Sequence, residues 1–212
     1  MLHFIFLCSI DAFSKEFHAG DICGGNCMVV PQFDKFEEEN PEVKKEYWDN
    51  GKLKREVHLK NGKPEGLGTI WYESGKKKGE INYKNGKPEG PGTIWYESGK
   101  KKEETHYKNG ELEGLTTVWY ESGEKSSEIH WKNGNQEGLS TYWYESGNKK
   151  YKTQYKNGKI DGLETRWYES GQKEVEIQVK NGKENGLRKE WDEDGNLTFQ
   201  GNFVDGVLEK NN

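Results

Sequence analysis

The sequence predicts an all-β fold, in which β-hairpins repeat every 24 residues and form one elongated, twisted antiparallel sheet. Two periodic motifs carry this prediction. Trp-Tyr-Glu-Ser-Gly begins at residues 71, 95, 119, 143 and 167, and a changed copy begins at Trp191. Asn-Gly recurs in the same period at residues 61, 85, 109, 133, 157 and 181, and ends as Asp205-Gly206. Self-similarity at a fixed spacing of about 20–50 residues is typical of repeat architectures.

Each repeat contains two turn signals and two short runs that suit strands. Asn-Gly favours a tight hairpin turn, because both turn positions need positive φ and these residues tolerate it. Glu-Ser-Gly places a glycine where a longer hairpin loop needs a left-handed residue. The runs 67–72 and 76–83 are rich in aromatic and β-branched residues, as strands are. We therefore expect one hairpin per repeat and 13 or 14 strands between Lys44 and Val204.

Comparison of the copies suggests two different sheet faces, because side chains alternate along a strand. Positions 67, 69 and 71 hold almost constant Leu, Thr and Trp, and we call their side the tryptophan face. Positions 68 and 70 change along the chain, to Arg188 and Glu190 in the last copy, and we call their side the variable face. A buried unpaired charge is costly, so we expect the tryptophan face to be the packed one. The expected structural residues are Trp71, Trp95, Trp119, Trp143, Trp167 and Trp191.

The strand after each Glu-Ser-Gly adds further apolar residues, such as Ile81 and Tyr83. We expect them on the tryptophan face as well. That placement requires either an odd-length Glu-Ser-Gly loop or a bulge at Glu65-Gly66.

Composition limits the classes of partner. The chain of 212 residues is 33% charged and only 30% hydrophobic, with a net charge of −5. An acidic balance without a basic cluster argues against nucleic acid and against electrostatic attachment to anionic lipid. We therefore expect neither nucleic-acid nor membrane binding. A thick core is not available, so the eight tryptophans are expected to supply much of the burial.

The N-terminal segment has features of a secretory signal. An apolar run at 3–10 precedes Ala12-Phe13-Ser14, a small-x-small site, although a basic n-region is missing. The alternative interpretation is a buried first strand. Cleavage after residue 14 would leave Cys23 and Cys27, which would form a disulfide in an oxidising compartment. We expect a periplasmic or secreted protein, with the cytoplasm as the alternative.

The expected domain organisation is a signal segment at 1–14, a non-repetitive leader or cap at 15–43, a repeat domain at 44–208 and a tail at 209–212. No constellation in the chain predicts catalysis. His106 and His130 occupy the position that Asn82 and Gln154 hold in other copies, which indicates surface polarity. Ser74 and its copies lie in turns without a suitably spaced His or acid. We expect no enzyme activity, no metal and no cofactor.

The unit at 83–100 contains aromatic-x-Asn-Gly-Lys, then Thr-x-aromatic-aromatic, then Gly-Lys. This pattern resembles the MORN repeat, and more closely the variant in bacterial antitoxins of the YwqK family, over residues 44–208. The resemblance implies a bacterial module that binds proteins, acts as a scaffold or contacts lipid. The antitoxin members imply another protein, a cognate toxin, as the partner.

Two functional hypotheses follow. The first is a non-catalytic protein-binding module of antitoxin or immunity type, whose variable side contacts the partner. The alternative is a cell-envelope scaffold or a binder of glycan or lipid surfaces, which the secretory signal and the stacking aromatics favour. The oligomeric state is not predicted. The expected binding residues are Ile70, Ile94, Val118, Tyr142 and Arg166, with Tyr72, Tyr96, Tyr120, Tyr144 and Tyr168 beside them.

Overall fold

The structure, a computed structural model, describes residues 42–210, and all regular secondary structure in this range is β-strand. Across these residues, no helix is long and apolar enough to cross a bilayer. Three predictions fall outside the described residues: the signal segment at 1–14, the leader up to residue 41, and the disulfide candidates Cys23 and Cys27. The first strand begins at Glu42, two residues before the expected start of the repeat domain at Lys44.

Seventeen strands form one sheet. They are β1 (Glu42–Tyr47), β2 (Leu53–Lys60), β3 (Lys63–Trp71), β4 (Lys77–Lys84), β5 (Lys87–Trp95), β6 (Lys101–Lys108), β7 (Glu111–Leu112), β8 (Gly114–Trp119), β9 (Lys125–Lys132), β10 (Asn135–Trp143), β11 (Lys149–Lys156), β12 (Lys159–Ile160), β13 (Gly162–Trp167), β14 (Lys173–Lys180), β15 (Lys183–Trp191), β16 (Leu197–Val204) and β17 (Val207–Leu208).

The strands follow each other as an antiparallel meander, which confirms the predicted fold class. Each strand pairs with its chain neighbour, from β1 with β2 to β16 with β17. The strand beside β6 is broken into β7 and β8, and the one beside β11 into β12 and β13. Counting each broken strand once, β1 to β16 make fourteen strands, the upper number expected, and β17 follows beyond Val204.

Asn-Gly turns join the hairpins, as their sequence predicts. The six turn asparagines have φ between 49° and 54°, and the glycines after them have φ between 72° and 90°. Asp205 takes the same conformation, with φ of 52°. Positive φ at both central residues is the geometry that matches the twist of the flanking strands.

Two register shifts per repeat decide which side chains share a face. The first lies at the Glu-Gly step, where Val57 pairs with Gly68 but Leu59 pairs with Pro64. The second lies before each tryptophan, where Ile70 pairs with Gly79 but Trp71 pairs with Lys77. A bulge at Glu65-Gly66 is therefore present.

The predicted placement of Ile81 and Tyr83 is wrong, because these residues pair with Gly68 and Gly66 and so lie on the variable face. The bulge lies in the pairing of β3 with β2, whereas β3 pairs regularly with β4 from Gly66 to Ile70. The bulge therefore does not transfer Ile81 and Tyr83 to the tryptophan face.

The expectation that the tryptophan face is the packed one is also wrong. All four buried hydrophobic residues among those described lie on the variable face: Val57, Leu59, Val175 and Ile177. The leucines of the tryptophan face are 40–44% exposed. The physical reason is that the middle of the variable face carries small residues, so that larger neighbours on adjacent strands can close over them.

The turn geometry gives a direct stability test at Asn133, where φ is 49°. We expect Asn133→Val to lower the free energy of unfolding by about 1–2 kcal/mol, because a left-handed backbone brings Cβ against the following carbonyl. Urea unfolding measures this difference. Asn133→Gly is the control, and it should leave stability nearly unchanged. Equal losses in both variants would contradict the assigned cause.

Candidate functional site

The variable face carries its side chains in rows that cross the strands. One row, which we call the variable row, consists of positions 70 and 79 and their copies. Its members are in direct register from strand to strand. In order they are Glu46, Arg55, Ile70, Gly79, Ile94, Glu103, Val118, Ser127, Tyr142, Tyr151, Arg166, Val175, Glu190 and Phe199. The structure thus aligns five of the expected binding residues on one surface: Ile70, Ile94, Val118, Tyr142 and Arg166.

A second row, the central row, lies beside the first and is formed by positions 68 and 81 and their copies. Its small members are almost inaccessible: Thr116 is 6% exposed, Ser140 1% and Thr153 0%. Thr105 and Thr116 share a hydrogen bond of 2.8 Å between their hydroxyl oxygens. The small members of the central row are therefore sheltered from solvent. The variable row lies next to the central row on the same face, closer to the Glu-Ser-Gly turns.

The N-terminal part of this face contains a depression of about 190 Å³ between β2 and β6. Gly68, Gly79 and Gly92 form its floor. The Tyr83 ring lies across Gly68, where an added Cβ would come within 2.7 Å of the ring carbon Cε2. The walls are apolar and consist of Ile70, Ile81, Ile94, Tyr83 and Tyr107. The two ends carry opposite charges, with Arg55 at one end and Glu103 at the other.

The same face is polar further along the chain, around Glu164. This carboxylate is only 4% exposed. Arg166 donates to its Oε1 from Nε at 2.9 Å and from Nη2 at 2.6 Å, and the Tyr151 hydroxyl donates to Oε2 at 3.1 Å. The expectation that a position accepting Glu must be solvated fails here, because the buried charge has its own donors.

Tyr151 has the most perturbed side chain of this cluster. Burial, and then the negative charge of Glu164, raise the pKa of its phenol well above the usual range. The ring also packs against Tyr142, with the ring centroids 5.6 Å apart. The C-terminal half of the variable row is therefore a pre-formed polar cluster and not a set of independent side chains.

The tyrosines expected beside the binding row form hydrogen bonds between neighbouring repeats. Each phenol donates to the carbonyl of the tryptophan one repeat later, as Tyr72 does to Trp95 at 2.8 Å. The other four do so at 2.7–2.9 Å: Tyr96 to Trp119, Tyr120 to Trp143, Tyr144 to Trp167 and Tyr168 to Trp191. Trp48 makes the first contact of the series through Nε1, at 3.2 Å from the Trp71 carbonyl oxygen. We call this series the tyrosine seam.

A second seam, the acid seam, joins the repeats at the opposite ends of the strands. The Glu65 carboxylate accepts the backbone N–H of Asn85 at 2.7 Å, and three later repeats copy this bond with Glu89, Glu113 and Glu137. Asp161 takes the same role toward Asn181 at 3.1 Å. Backbone bonds such as Gly86 N–H to Pro64 O, at 2.8 Å, reinforce it. The sequence signal was the acid before glycine in five successive copies: Glu65, Glu89, Glu113, Glu137 and Asp161.

The tryptophan face carries ion pairs and cations stacked on indoles. Lys77 bonds Glu80 at 2.8 Å, and its Nζ lies 5.5 Å from the centre of the Trp95 ring. Corresponding ion pairs recur in later repeats: Lys101 with Glu104, Lys125 with Glu128 and Lys173 with Glu176. Lys173 also lies over Trp191, at 5.8 Å. Trp95 and Trp191 are thus half-buried beneath lysine side chains.

The repeat geometry agrees with a known family. The family described as MORN repeat variant matches the chain seven times, at residues 43–61, 64–85, 88–109, 112–133, 136–157, 160–181 and 184–205. The chain belongs to the MORN repeat variant family. Each full match runs from just after one Asn-Gly turn to the next turn asparagine, and so contains one Trp-Tyr-Glu-Ser-Gly loop.

MORN repeats are modules of the protein-binding and membrane-association type. No curated protein matches this sequence significantly. Within residues 42–210, no group of three or more His, Cys, Asp or Glu is placed to hold a metal. His106 and His130 pair with Pro91 and Leu115 on the tryptophan face, away from the variable row.

Removing one phenol from the tyrosine seam should weaken the junction between two MORN repeats. We expect Tyr144→Phe to lower the free energy of unfolding by about 1 kcal/mol, since the Trp167 carbonyl loses its donor. Urea unfolding measures the change. Tyr47→Phe is the matched control, because Tyr47 is 58% exposed and should tolerate the loss of its hydroxyl. An unchanged Tyr144→Phe protein would show that the seam contributes nothing.

The buried phenol of Tyr151 predicts a loss of stability in alkali. Its pKa is higher in the folded chain than the ordinary value of about 10, so the unfolded chain releases this proton first. The stabilisation is therefore complete below about pH 10 and declines as pH rises above it. Thermal unfolding between pH 8 and 11 should show a shallower decline for Tyr151→Phe than for the wild type. Parallel declines would contradict this origin.

Proposed function

We propose that this MORN-repeat chain is a non-catalytic module that binds another protein through its variable face. One observation carries the proposal: the constant residues make the same contacts between hairpins in successive copies, whereas the residues of the variable row change from copy to copy. Tyrosines and acids of the repeat join neighbouring hairpins in the two seams. The variable row instead changes from Ile70 and Ile94 through Val118 to Tyr142 and Arg166. A rigid surface with a changing chemical character suits recognition of one extended partner surface.

Within this class, we propose an antitoxin or immunity-type role, with a bacterial toxin protein as the partner. The repeat variant that the unit at 83–100 resembles supports this proposal, as does a surface that can vary without disturbing the seams. Hot spots in protein interfaces are often buried aromatic residues and arginines, and the variable row contains Tyr142, Tyr151 and Arg166. The apolar run at 3–10 supports a periplasmic or secreted site of action.

A pair of matched substitutions tests which face binds. Ile94→Glu places a charge in the variable row, whereas Leu115→Glu places the same charge on the tryptophan face at a residue that is 43% exposed. The tagged variants are compared in binding to the product of the neighbouring gene, by calorimetry and by rescue of growth when that product is toxic. We expect Ile94→Glu to weaken binding by at least about tenfold, or ~1.4 kcal/mol.

The control variant Leu115→Glu should bind within about twofold of the wild type. The opposite ranking would move the interface to the tryptophan face and contradict the proposal. Pelleting of the protein with peptidoglycan or vesicles, without binding to any protein, would favour the envelope-scaffold alternative. Arg166 is a poor choice for this test, because its removal leaves the Glu164 carboxylate buried without its main partner.

A further inference from the structure

We infer that the depression between β2 and β6 is a socket for one aromatic side chain of the protein partner. This inference rests on the proposed function, since it names the group that the variable face receives. The partner segment crosses the strands, places its ring above Gly79 and carries an acidic residue on the Arg55 side and a basic residue on the Glu103 side.

The size of the depression fits a ring. Its volume is about 190 Å³. An engineered apolar cavity of roughly 150 Å³ binds benzene, so a phenyl or phenol ring has room here. Gly68, Gly79 and Gly92 are themselves buried, and the Tyr83 ring lies over Gly68. Because these residues have no Cβ, they leave room for the depression between the walls above them.

The walls favour an aromatic group over a charged one. Ile70 and Ile94 flank Gly79 on the two adjacent strands and supply apolar contacts. Tyr83 and Tyr107 stand along the opposite wall, and their edges can meet an incoming ring in a tilted arrangement. A charged head group at the floor would find no partner of opposite charge among these wall residues.

The charges at the two ends define the polarity of the partner segment. Arg55 lies on β2 and Glu103 on β6, four strand spacings or roughly 19 Å apart. An extended segment of about six residues spans this distance at about 3.3 Å per residue. Arg55 forms an ion pair with the exposed Glu46, at 3.6 Å. Such an exposed pair contributes little, so it can be exchanged for a carboxylate of the partner.

The later repeats show how the chain closes the same space. The glycine at positions 68 and 92 is replaced by Thr116 and Ser140 in the next two copies. The glycine at position 79 is replaced by Glu103, Ser127, Tyr151 and Val175. Side chains at these positions are compatible with the repeat fold, so the open socket is a property of the glycines in β3 to β5 alone among the described copies.

The test uses substitutions that the chain itself contains elsewhere. Gly92→Thr copies Thr116, and an added Cβ at Gly92 meets its neighbours at ordinary distances of 3.4–3.5 Å. The full-length protein is titrated with indole, and amide shifts are followed by NMR. We expect saturable shifts at Gly79 and Gly92 in the wild type and their loss in Gly92→Thr. Gly79→Ser, which copies Ser127, is the second variant, and a thermal melt confirms that each variant folds.

Leu139→Thr on the tryptophan face is the matched control and should keep the indole shifts. A folded wild-type protein without saturable shifts at the socket would overturn the inference, whatever the partner does.

The indole titration needs no partner, so its result is independent of the proposed function. If Ile94→Glu weakens partner binding but Gly92→Thr binds as tightly as the wild type, the face is correct and the socket is wrong. Weaker binding of at least about tenfold by Gly92→Thr supports the socket.

Discussion

The structure depends on hydrogen bonds that leave one repeat and end on the backbone of the next. Within residues 42–210 the sheet has no second layer to pack against, and only four hydrophobic residues are buried there. The tyrosine seam and the acid seam satisfy backbone groups at both ends of the strands, where turns would otherwise leave them to water. Neighbouring hairpins are therefore joined at their two ends as well as along their strands.

This arrangement separates residues that maintain the fold from residues that are free to change. The tyrosine after each Trp from residue 72 to 168, and the acid before Gly from residue 65 to 161, each bond the backbone of the following repeat at a fixed position. The variable row differs from copy to copy, from the apolar Ile70 to the Glu164–Arg166 cluster, while the seams persist. Under the proposed binding role, most residues that would contact a partner differ from those that join the hairpins.

The strands and turns were predictable because their causes are local. Asn-Gly needs only its own backbone to form a turn, and alternation within eight residues marks a strand. The packed face was not predictable, because it depends on how larger side chains of adjacent strands pack over the small residues of the variable face, as the Tyr83 ring does over Gly68. The hydrogen bond of Tyr72 was not predictable from the sequence either. Its acceptor, the Trp95 carbonyl, is 23 residues away in sequence and adjacent only in the sheet.

The seams also fix the spacing between equivalent positions of neighbouring repeats on the surface. The carbonyls of Trp95, Trp119, Trp143, Trp167 and Trp191 all accept from a tyrosine hydroxyl, so loss or duplication of 24 residues between them would rejoin equivalent ends. One such event shifts the glycine-floored socket relative to the Glu164–Arg166 cluster by two strand spacings, or about 10 Å. Genetic gain or loss of whole repeats would therefore change the distance between these two features in discrete steps. The chemistry of each feature would stay the same.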